Sequence, residues 1–248
     1  MIVIKATDEI NLMREAGKIA GGALEEGLKN TKPGMTTAAL NELIEKFIRR
    51  FKAVPSFLGY GGFPASACIS VNEEVIHGIP GSRVIEEGDV VSIDVGACYN
   101  GWHGDTAGTA GAGAISQEAQ RLIDVTRECL KKGIQQAKAQ NRIGDISNAV
   151  ETCARASGFG VVKKYIGHGV GSDLHEDPEV PNFGRPGHGY RLVEGMTIAI
   201  EPMINLKGDG VIDLSDGWTV VTESRTISAH FEHTVLITAN GPEILTLA

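Results

Sequence analysis

SIDVGACYNGWHGDTA, residues 92–107, is the stretch of sequence that decides the fold. An apolar run leads into Asp94, and Asp105 follows eleven residues later, beyond the turn-forming Tyr99–Asn100–Gly101. This pattern predicts a β-hairpin whose two carboxylates point from neighbouring strands into one pocket. The alternative is a pair of solvated aspartates in an ordinary hairpin. Because Asp94 interrupts an apolar strand, where an unpaired carboxylate is costly, the sequence favours metal ligation.

Three further residues stand in equally distinctive contexts. His168 lies between glycines in YIGHGVGSDLHEDP, Glu201 ends an apolar run in IAIEPM, and Glu232 interrupts another in HFEHTVLIT. We expect His168 to lie on a glycine loop, where its ring is free to reach a metal ion. The alternatives are a histidine on a surface loop and glutamates paired with arginine, for which only Arg191 and Arg225 are near in sequence.

These five side chains make an oxygen-rich ligand set with one nitrogen donor, which suits hard or borderline divalent ions. If they converge, they bring about four negative charges into one cleft, a repulsion that two divalent cations would balance. The sequence therefore predicts a dinuclear metal site and hydrolysis by metal-activated water. The chain has no H-E-x-x-H, phosphate-loop, G-x-G-x-x-G or G-x-S-x-G motif, which argues against the corresponding competing chemistries.

Composition and net charge limit the number of domains, the partners and the location that we expect for this protein. The chain has 248 residues, 42% hydrophobic and 22% charged, and we expect one catalytic domain over residues 1–248. A formal charge of −8 argues against nucleic acid or an anionic membrane as a partner. The start, MIVIKATDEI, does not resemble a signal peptide, and no apolar run reaches membrane-spanning length. The four cysteines form no disulfide-dense pattern. A cytoplasmic location is expected.

Hydrophobic periodicity predicts an alternation of helices and strands. Helices are expected over residues 8–29, 38–51, 116–140 and 145–156. Strands are expected in 67–78 and 89–110, near Val161, and over 196–201, 218–223 and 229–238. Two helices followed by strands thus occur twice, which predicts an α+β fold. In it, one antiparallel sheet carries two pairs of helices on one face, in two pseudo-symmetric halves.

Five segments of the chain together resemble the type I methionine aminopeptidases, which have the pita-bread (creatinase-like) fold. They are GYGGFPASACISVNEEVIHGIP, IDVGACYNGWHGDT, YIGHGVGSDLHEDPEVPNF, GMTIAIEPM and SAHFEHTVLIT, and the resemblance covers essentially the whole chain. It implies removal of the N-terminal methionine from nascent proteins and peptides, with preference for a small second residue. Type I is favoured over type II because Glu201 and Glu232 are only 31 residues apart, which leaves no room for the type II helical insertion.

The resemblance also implies a role for each metal ligand. Asp94 would chelate one ion, Asp105 and Glu232 would bridge both ions, and His168 and Glu201 would complete the second. A water or hydroxide between the ions would attack the first peptide carbonyl, while the free α-amine of the substrate binds a metal. Glu201 would also pass a proton to the leaving amine. Cobalt, manganese, iron, zinc and nickel are all candidate ions.

Substrate contacts follow from the same resemblance. His77 and His175 match two catalytic histidines that hydrogen-bond the scissile amide and its tetrahedral intermediate. The side chains that match the methionine pocket are Tyr60, Phe63, Cys68 and Trp218. The chain departs from the usual pattern at three positions that would reshape the pocket or its rim, namely Phe57, Gly61 and Leu174.

Two rival functions share this fold. One is a peptidase acting on X-Pro bonds, which usually carries an additional amino-terminal domain. The other is a non-catalytic peptide-binding protein, which typically lacks some of the ligands. The expected partner is the N-terminal peptide of a nascent protein, the ribosome is a further candidate partner, and the protein is expected to be a monomer.

Overall fold

The structure is a computed structural model that describes residues 1–248. Its helices are α1 (Thr7–Asn30), α2 (Thr37–Arg50), α3 (Gln117–Gln136) and α4 (Ile143–Ala156), with a short 3₁₀ turn at Tyr60–Gly62. All four predicted helices are present. Thr36 and Ser116 cap α2 and α3 by accepting hydrogen bonds from the amides of Ala39 and Ala119. No helix combines the length and apolar character needed to cross a bilayer.

The strands fall into one large and two small antiparallel sheets. In chain order they are β1 (Val54–Pro55), β2 (Cys68–Val71), β3 (Glu74–Ile76), β4 (Val90–Tyr99), β5 (Trp102–Gly111), β6 (Gly160–Val161), β7 (Gly167–Gly169), β8 (Glu176–Val180), β9 (Thr197–Ile200), β10 (Met203–Asn205), β11 (Val211–Asp213), β12 (Val220–Thr222), β13 (Ser228–His230), β14 (Glu232–Thr238) and β15 (Gly241–Ile244). The nine-stranded sheet runs β1-β4-β5-β14-β9-β7-β8, with β2 beside β4 and β15 beside β14. The other two run β13-β10-β6 and β11-β12-β3.

The predicted hairpin is confirmed as β4 and β5, which pair along their whole length from Val90↔Gly111 to Tyr99↔Trp102. Asn100 and Gly101 form the two-residue turn, and both have positive φ, 49° and 84°. Those angles are the ones a type I′ turn requires, which explains an Asn-Gly dipeptide at this place.

Two apolar layers hold the helix pairs on the sheet. One cluster of 17 buried residues joins α1 and α2 to β2 and β4, including Ile44 and Ile93. A second cluster of 16 joins α3 and α4 to β9 and β14, including Ile146 and Ile198. The predicted α+β fold with two helix pairs is therefore confirmed, and the two small sheets are an addition that periodicity did not predict.

Two local predictions were wrong. His168 lies in strand β7 rather than on a loop, because its flanking glycines pass close to the neighbouring strands. A Cβ atom on Gly167 would lie 2.3 Å from the carbonyl oxygen of Ala199, and one on Gly169 would lie 2.2 Å from that of Asp177. The strand expected over 229–238 is broken at Phe231, where the chain leaves the small β13 sheet and enters the large sheet as β14.

Helix α1 packs closely against strand β5 because a glycine stands on each side of the contact. A Cβ atom on Gly104 of β5 would lie 2.6 Å from the backbone of Gly17, and one on Gly17 would lie 2.3 Å from the carbonyl oxygen of Leu245. Backbone atoms cannot move aside as the end of a side chain can. The two glycines therefore set the distance between α1 and the strand that carries Asp105.

We expect Gly104→Ala to lower the free energy of unfolding by about 1–3 kcal/mol, because the added methyl group overpacks the contact between α1 and β5. Urea denaturation followed by circular dichroism measures this. Gly81→Ala is the matched control, since its added Cβ meets nothing closer than 4.0 Å. Equal midpoints for the two variants would show that this contact tolerates a methyl group.

Candidate metal centre and substrate pocket

The five predicted ligands come from five strands that are neighbours in the large sheet, β4, β5, β14, β9 and β7. Asp94 lies opposite Ala107, and Asp105 lies opposite Gly96, so both carboxylates project from the same face of the hairpin. Glu232 also pairs with Ala107, from the other side of β5. Glu201 directly follows β9. Strand register alone thus gathers residues that are up to 138 positions apart.

Distances within this group match ligands that share an ion. The Nε2 atom of His168 lies 3.8 Å from Oδ2 of Asp105 and 3.6 Å from Oε1 of Glu201. Asp105, His168 and Glu232 can each offer one donor atom within 4.8 Å of the others. Nδ1 of His168 lies 2.8 Å from the carbonyl oxygen of Gly169. That contact favours a proton on Nδ1 and leaves the Nε2 lone pair free for a metal.

The electrostatics of the group favour a bound cation at neutral pH. Burial raises the pKa of Asp94 to about 7 and that of Glu201 to about 8. Burial, and then repulsion from the neighbouring carboxylates, raises the pKa of Asp105 and of Glu232 well above the usual range. One oxygen of each of Asp94, Asp105 and Glu232 is buried without a hydrogen-bond donor. Unsatisfied buried oxygens of this kind fit divalent ions.

The arginine alternative for the glutamates is wrong. The basic side chains within 4 Å of the Glu201 carboxylate are the imidazoles of His168 and His230. Arg191 instead donates a hydrogen bond to the side chain of Gln140. Neither glutamate forms an ion pair with an arginine or a lysine, and Lys164, which lines the adjoining cavity, pairs with Asp213.

A single cavity of about 320 Å³ adjoins the ligand group. It is lined by every residue that the sequence nominated for the site, together with Phe57 and Leu174; the nominated residues are Tyr60, Phe63, Cys68, His77, Asp94, Asp105, His168, His175, Glu201, Trp218 and Glu232. Sequence reasoning missed four lining residues, Ile76, Lys164, Tyr165 and Ile166. The candidate metal ligands and the apolar side chains thus share one space.

The two predicted substrate histidines line this cavity. His77 has a φ of +58°, an uncommon conformation for a residue with a side chain, and its ring packs edge-on against Tyr165 and Trp218. Burial lowers its pKa to about 4. The ring of His175 lies 4.1 Å from that of His168 and is hydrogen-bonded to the hydroxyl of Tyr60 at 2.8 Å. Burial lowers its pKa as well, so both rings are neutral at pH 7.

The apolar end of the cavity is built by Phe63, whose ring meets Trp218 edge-on at 5.1 Å, and by Cys68, which pairs with Asp94 across β2 and β4. Phe57 and Leu174, two of the departures from the family pattern, belong to the same buried cluster. The third departure, Gly61, leaves space over Trp218, since a Cβ atom there would come within 3.3 Å of the indole. Tyr60 is half exposed and stands at the mouth.

A buried ion pair anchors the segment that carries His175. The ammonium of Lys5 donates to Glu176 at 2.5 Å, and the two side chains are only 1% and 8% exposed. The Glu176 carboxylate also covers Gly171, where a Cβ atom would lie 2.1 Å from it. Sequence reasoning missed this pair, because the partners are 171 residues apart and no local pattern links them.

Comparison with known proteins settles the family. The model of metallopeptidase family M24 matches residues 11–239, which include all five candidate ligands. This chain belongs to metallopeptidase family M24. A methionine aminopeptidase of Clostridium perfringens is 54% identical over 247 residues, which cover 100% of this chain and 99% of that protein. The crystal structure of the methionine aminopeptidase from Rickettsia prowazekii superimposes with a TM-score of 0.98 at 41% identity and full coverage of both chains.

The prolidase from Pyrococcus furiosus has a similar fold. It superimposes with a TM-score of 0.78 at 24% identity, and the match covers 99% of this chain but 66% of the prolidase. At that identity the likeness concerns the fold alone. It therefore does not favour the X-Pro rival.

The raised carboxyl pKa values predict how the metal-free protein responds to pH. A carboxyl whose pKa rises on folding penalises the folded state once it ionises, so these carboxyls destabilise the metal-free protein as the pH rises from about 4 towards 8. The buried histidines, whose pKa burial lowers, act in the opposite direction below about pH 6.5, so the contribution of one carboxyl is measured by comparing two variants at each pH. Asp94→Asn removes one such group and should make the metal-free protein roughly 2–4 kcal/mol more stable at pH 8, an advantage that vanishes near pH 4. Urea denaturation at each pH, with chelator present, measures this.

The exposed Asp124→Asn serves as the control, and it should follow the wild type across the same pH range. With saturating cobalt or manganese, the order of wild type and Asp94→Asn should reverse, because the wild type alone keeps the full ligand set. A stability difference between metal-free wild type and Asp94→Asn that stays the same from pH 4 to 8 would contradict the account of the buried carboxylates.

Proposed function

We propose that this protein is a methionine aminopeptidase, a metal-dependent hydrolase that removes the N-terminal methionine from proteins and peptides. The observation that carries the proposal is the single cavity in which an oxygen-rich ligand group meets an apolar recess. Relatives that match the chain over its whole length and carry this activity in their names support it. The non-catalytic rival is disfavoured because its expected loss of ligands is not seen in this chain.

The metal centre we propose has two divalent ions. Asp94 would hold one ion, His168 and Glu201 would hold the other, and Asp105 and Glu232 would lie between them. Such ions, when bound, supply Lewis-acid polarisation of a carbonyl and lower the pKa of water. Cobalt, manganese, iron, zinc and nickel all suit a carboxylate-rich site with imidazole.

The protein's own side chains would orient and protonate the substrate. A neutral imidazole carries one N–H, so His77 and His175 can each donate one hydrogen bond to the scissile amide or to the oxyanion that develops from it. The hydrogen bond from Tyr60 fixes the ring of His175, and the packing of Tyr165 and Trp218 fixes that of His77. We propose Glu201 as the group that passes a proton to the leaving amine.

Selectivity for methionine follows from the apolar recess. In this recess an unbranched thioether side chain would contact the aromatic rings of Phe63 and Trp218 and the polarisable thiol of Cys68. Burial raises the pKa of Cys68 well above the usual range, so the thiol stays neutral and behaves as a small apolar group. Phe57 and Leu174 add bulk to the same wall. A small second residue is the proposed preference at the next position.

Several finer assignments also belong to this proposal. Type I is supported because only the short strands β10–β13 lie between Glu201 and Glu232. We further propose that residues 1–248 form one catalytic domain. A cytoplasmic location, a monomeric state and contact with the ribosome remain predictions from the sequence.

The decisive assay offers the cobalt- or manganese-loaded protein two kinds of peptide. We expect free methionine from Met-Ala-Ser and no cleavage of an X-Pro peptide of equal length, with products measured by mass spectrometry. A peptide with a bulky second residue, Met-Leu-Ser, should be cleaved much more slowly. Failure to release methionine with any of the five candidate metals would refute the proposal, and cleavage of the X-Pro peptide would favour the rival enzyme.

Replacement of His77 separates metal binding from catalysis. His77→Ala should lower kcat on Met-Ala-Ser by about 10²–10³-fold, because a donor to the developing oxyanion is lost. Cobalt stoichiometry and affinity, measured by calorimetry, should stay at wild-type values. His188→Ala, a change of an exposed histidine outside the cavity, is the control. Weakened metal binding in His77→Ala would contradict the role given to this residue.

A further inference from the structure

His230 is a buried histidine that the function described above does not use. It ends β13, two residues before Glu232, and is 1% exposed. Thr109 holds its backbone on both sides, since the Thr109 hydroxyl donates to the carbonyl of His230 and accepts from its amide. The Nε2 atom of the ring is buried without a hydrogen-bond partner. Buried polar atoms rarely lack partners, so the position of this nitrogen requires an explanation.

The unpaired nitrogen points at the metal centre. Nε2 of His230 lies 3.7 Å from Oε2 of Glu201, and Nε2 of His168 lies 3.6 Å from Oε1 of the same carboxylate. Each oxygen of Glu201 therefore has its own imidazole nitrogen, at almost the same distance. The pair formed by His230 and Glu201 therefore resembles the pair formed by the candidate ligand His168 and Glu201.

This separation fits a shared cation better than a hydrogen bond or a bridging water. A direct hydrogen bond needs about 2.7–3.2 Å between the heavy atoms. A water about 2.8 Å from both atoms, at its tetrahedral angle, would hold them about 4.5 Å apart. Two donors that each lie about 2.1 Å from one ion are about 3–4 Å apart, depending on the angle between them. The observed distance falls in the last range.

We propose that His230 is a further protein ligand of the metal centre, and that its Nε2 and Oε2 of Glu201 together hold a divalent cation. This inference rests on the proposed metal site and adds a second nitrogen donor to it. Each carboxylate oxygen has two lone pairs, so Glu201 can ligate at both oxygens and still accept a proton. A second imidazole shifts the preference of the site towards borderline ions such as cobalt, nickel and zinc.

The signal for His230 was present in the sequence. His230 and Glu232 alternate with the apolar Ala229 and Phe231. In one continuous strand this alternation would place both polar residues on the same face. The chain changes sheets at Phe231, so the usable signal is a histidine two residues from a candidate ligand rather than a shared strand face.

The test compares cobalt binding by the wild type with that by His230→Gln, which keeps an amide in place of the ring. X-ray absorption counts the imidazole ligands per cobalt, and calorimetry gives stoichiometry and affinity. In the fully loaded wild type we expect two imidazoles for each centre of two cobalt ions, an average of about one per cobalt. His230→Gln should show one imidazole per centre, an average of about one half per cobalt, with the affinity for one ion weakened by about tenfold or more. His233→Gln is the matched control, because its ring lies on β14 but is hydrogen-bonded to Thr246.

An unchanged imidazole count and unchanged affinity in His230→Gln would overturn the inference. If that variant does not fold, the wild type alone decides: two sets of hyperfine-shifted imidazole ring protons in the cobalt-loaded protein support ligation by His230, and one set refutes it. A wild type that binds no cobalt, nickel, zinc, iron or manganese would refute the metal-dependent function itself. One that binds cobalt through a single imidazole would refute this inference alone.

Discussion

Mutual repulsion among buried carboxylates is the constraint on which the rest of this structure depends. Four acidic side chains project into one cleft, three of them keep an oxygen with no hydrogen-bond donor, and none forms an ion pair with an arginine or lysine. The one lysine that lines the cavity, Lys164, pairs with Asp213 instead. In a protein interior such a group is tolerated only when it is protonated or bound to cations. At neutral pH the second state suits the surroundings, because the imidazoles of His168 and His230 stand beside the carboxylates with nitrogen atoms directed at them. Burial lowers the pKa of both histidines, so both rings are neutral. Metal binding and stability are thereby coupled in the same residues.

The curved sheet makes this concentration of charge possible. One candidate ligand lies in or directly after each of five adjacent strands, so the hydrogen-bond ladder largely fixes the distances between them. The ladder is in turn held by apolar layers beneath both helix pairs and by the glycine contact between α1 and β5. A site built on a sheet is rigid, which suits ligands that must keep metal-binding distances in spite of their repulsion.

Elements of the fold could be predicted from the sequence where the pattern that specifies them lies within neighbouring residues, and could not where they depend on residues far apart in the chain. The β4–β5 hairpin was predictable because alternation and an Asn-Gly turn lie within about twenty residues. The helices were predictable from their periodicity and caps. The break at Phe231 was not, because the alternation of polar and apolar residues continues through it and the change of sheet depends on pairing with β10 and β5. The Lys5–Glu176 pair was beyond reach for the same reason, since its partners meet only after the chain has folded.

The candidate site, like the fold, could be predicted from the sequence only in part. Short motifs identified residues that the fold brings to one cavity, yet the shape of that cavity depends on side chains without any motif, such as Phe57, Leu174 and Tyr165. His77 illustrates why such neighbours matter. Its positive φ is an uncommon conformation, of a kind that costs roughly 1–3 kcal/mol, and it persists only where the surroundings hold it. Two aromatic rings pack against this imidazole, and burial keeps it neutral. The packing that supports the strained residue therefore also sets its protonation state, so a change in those rings should alter the chemistry of His77 without touching a single metal ligand.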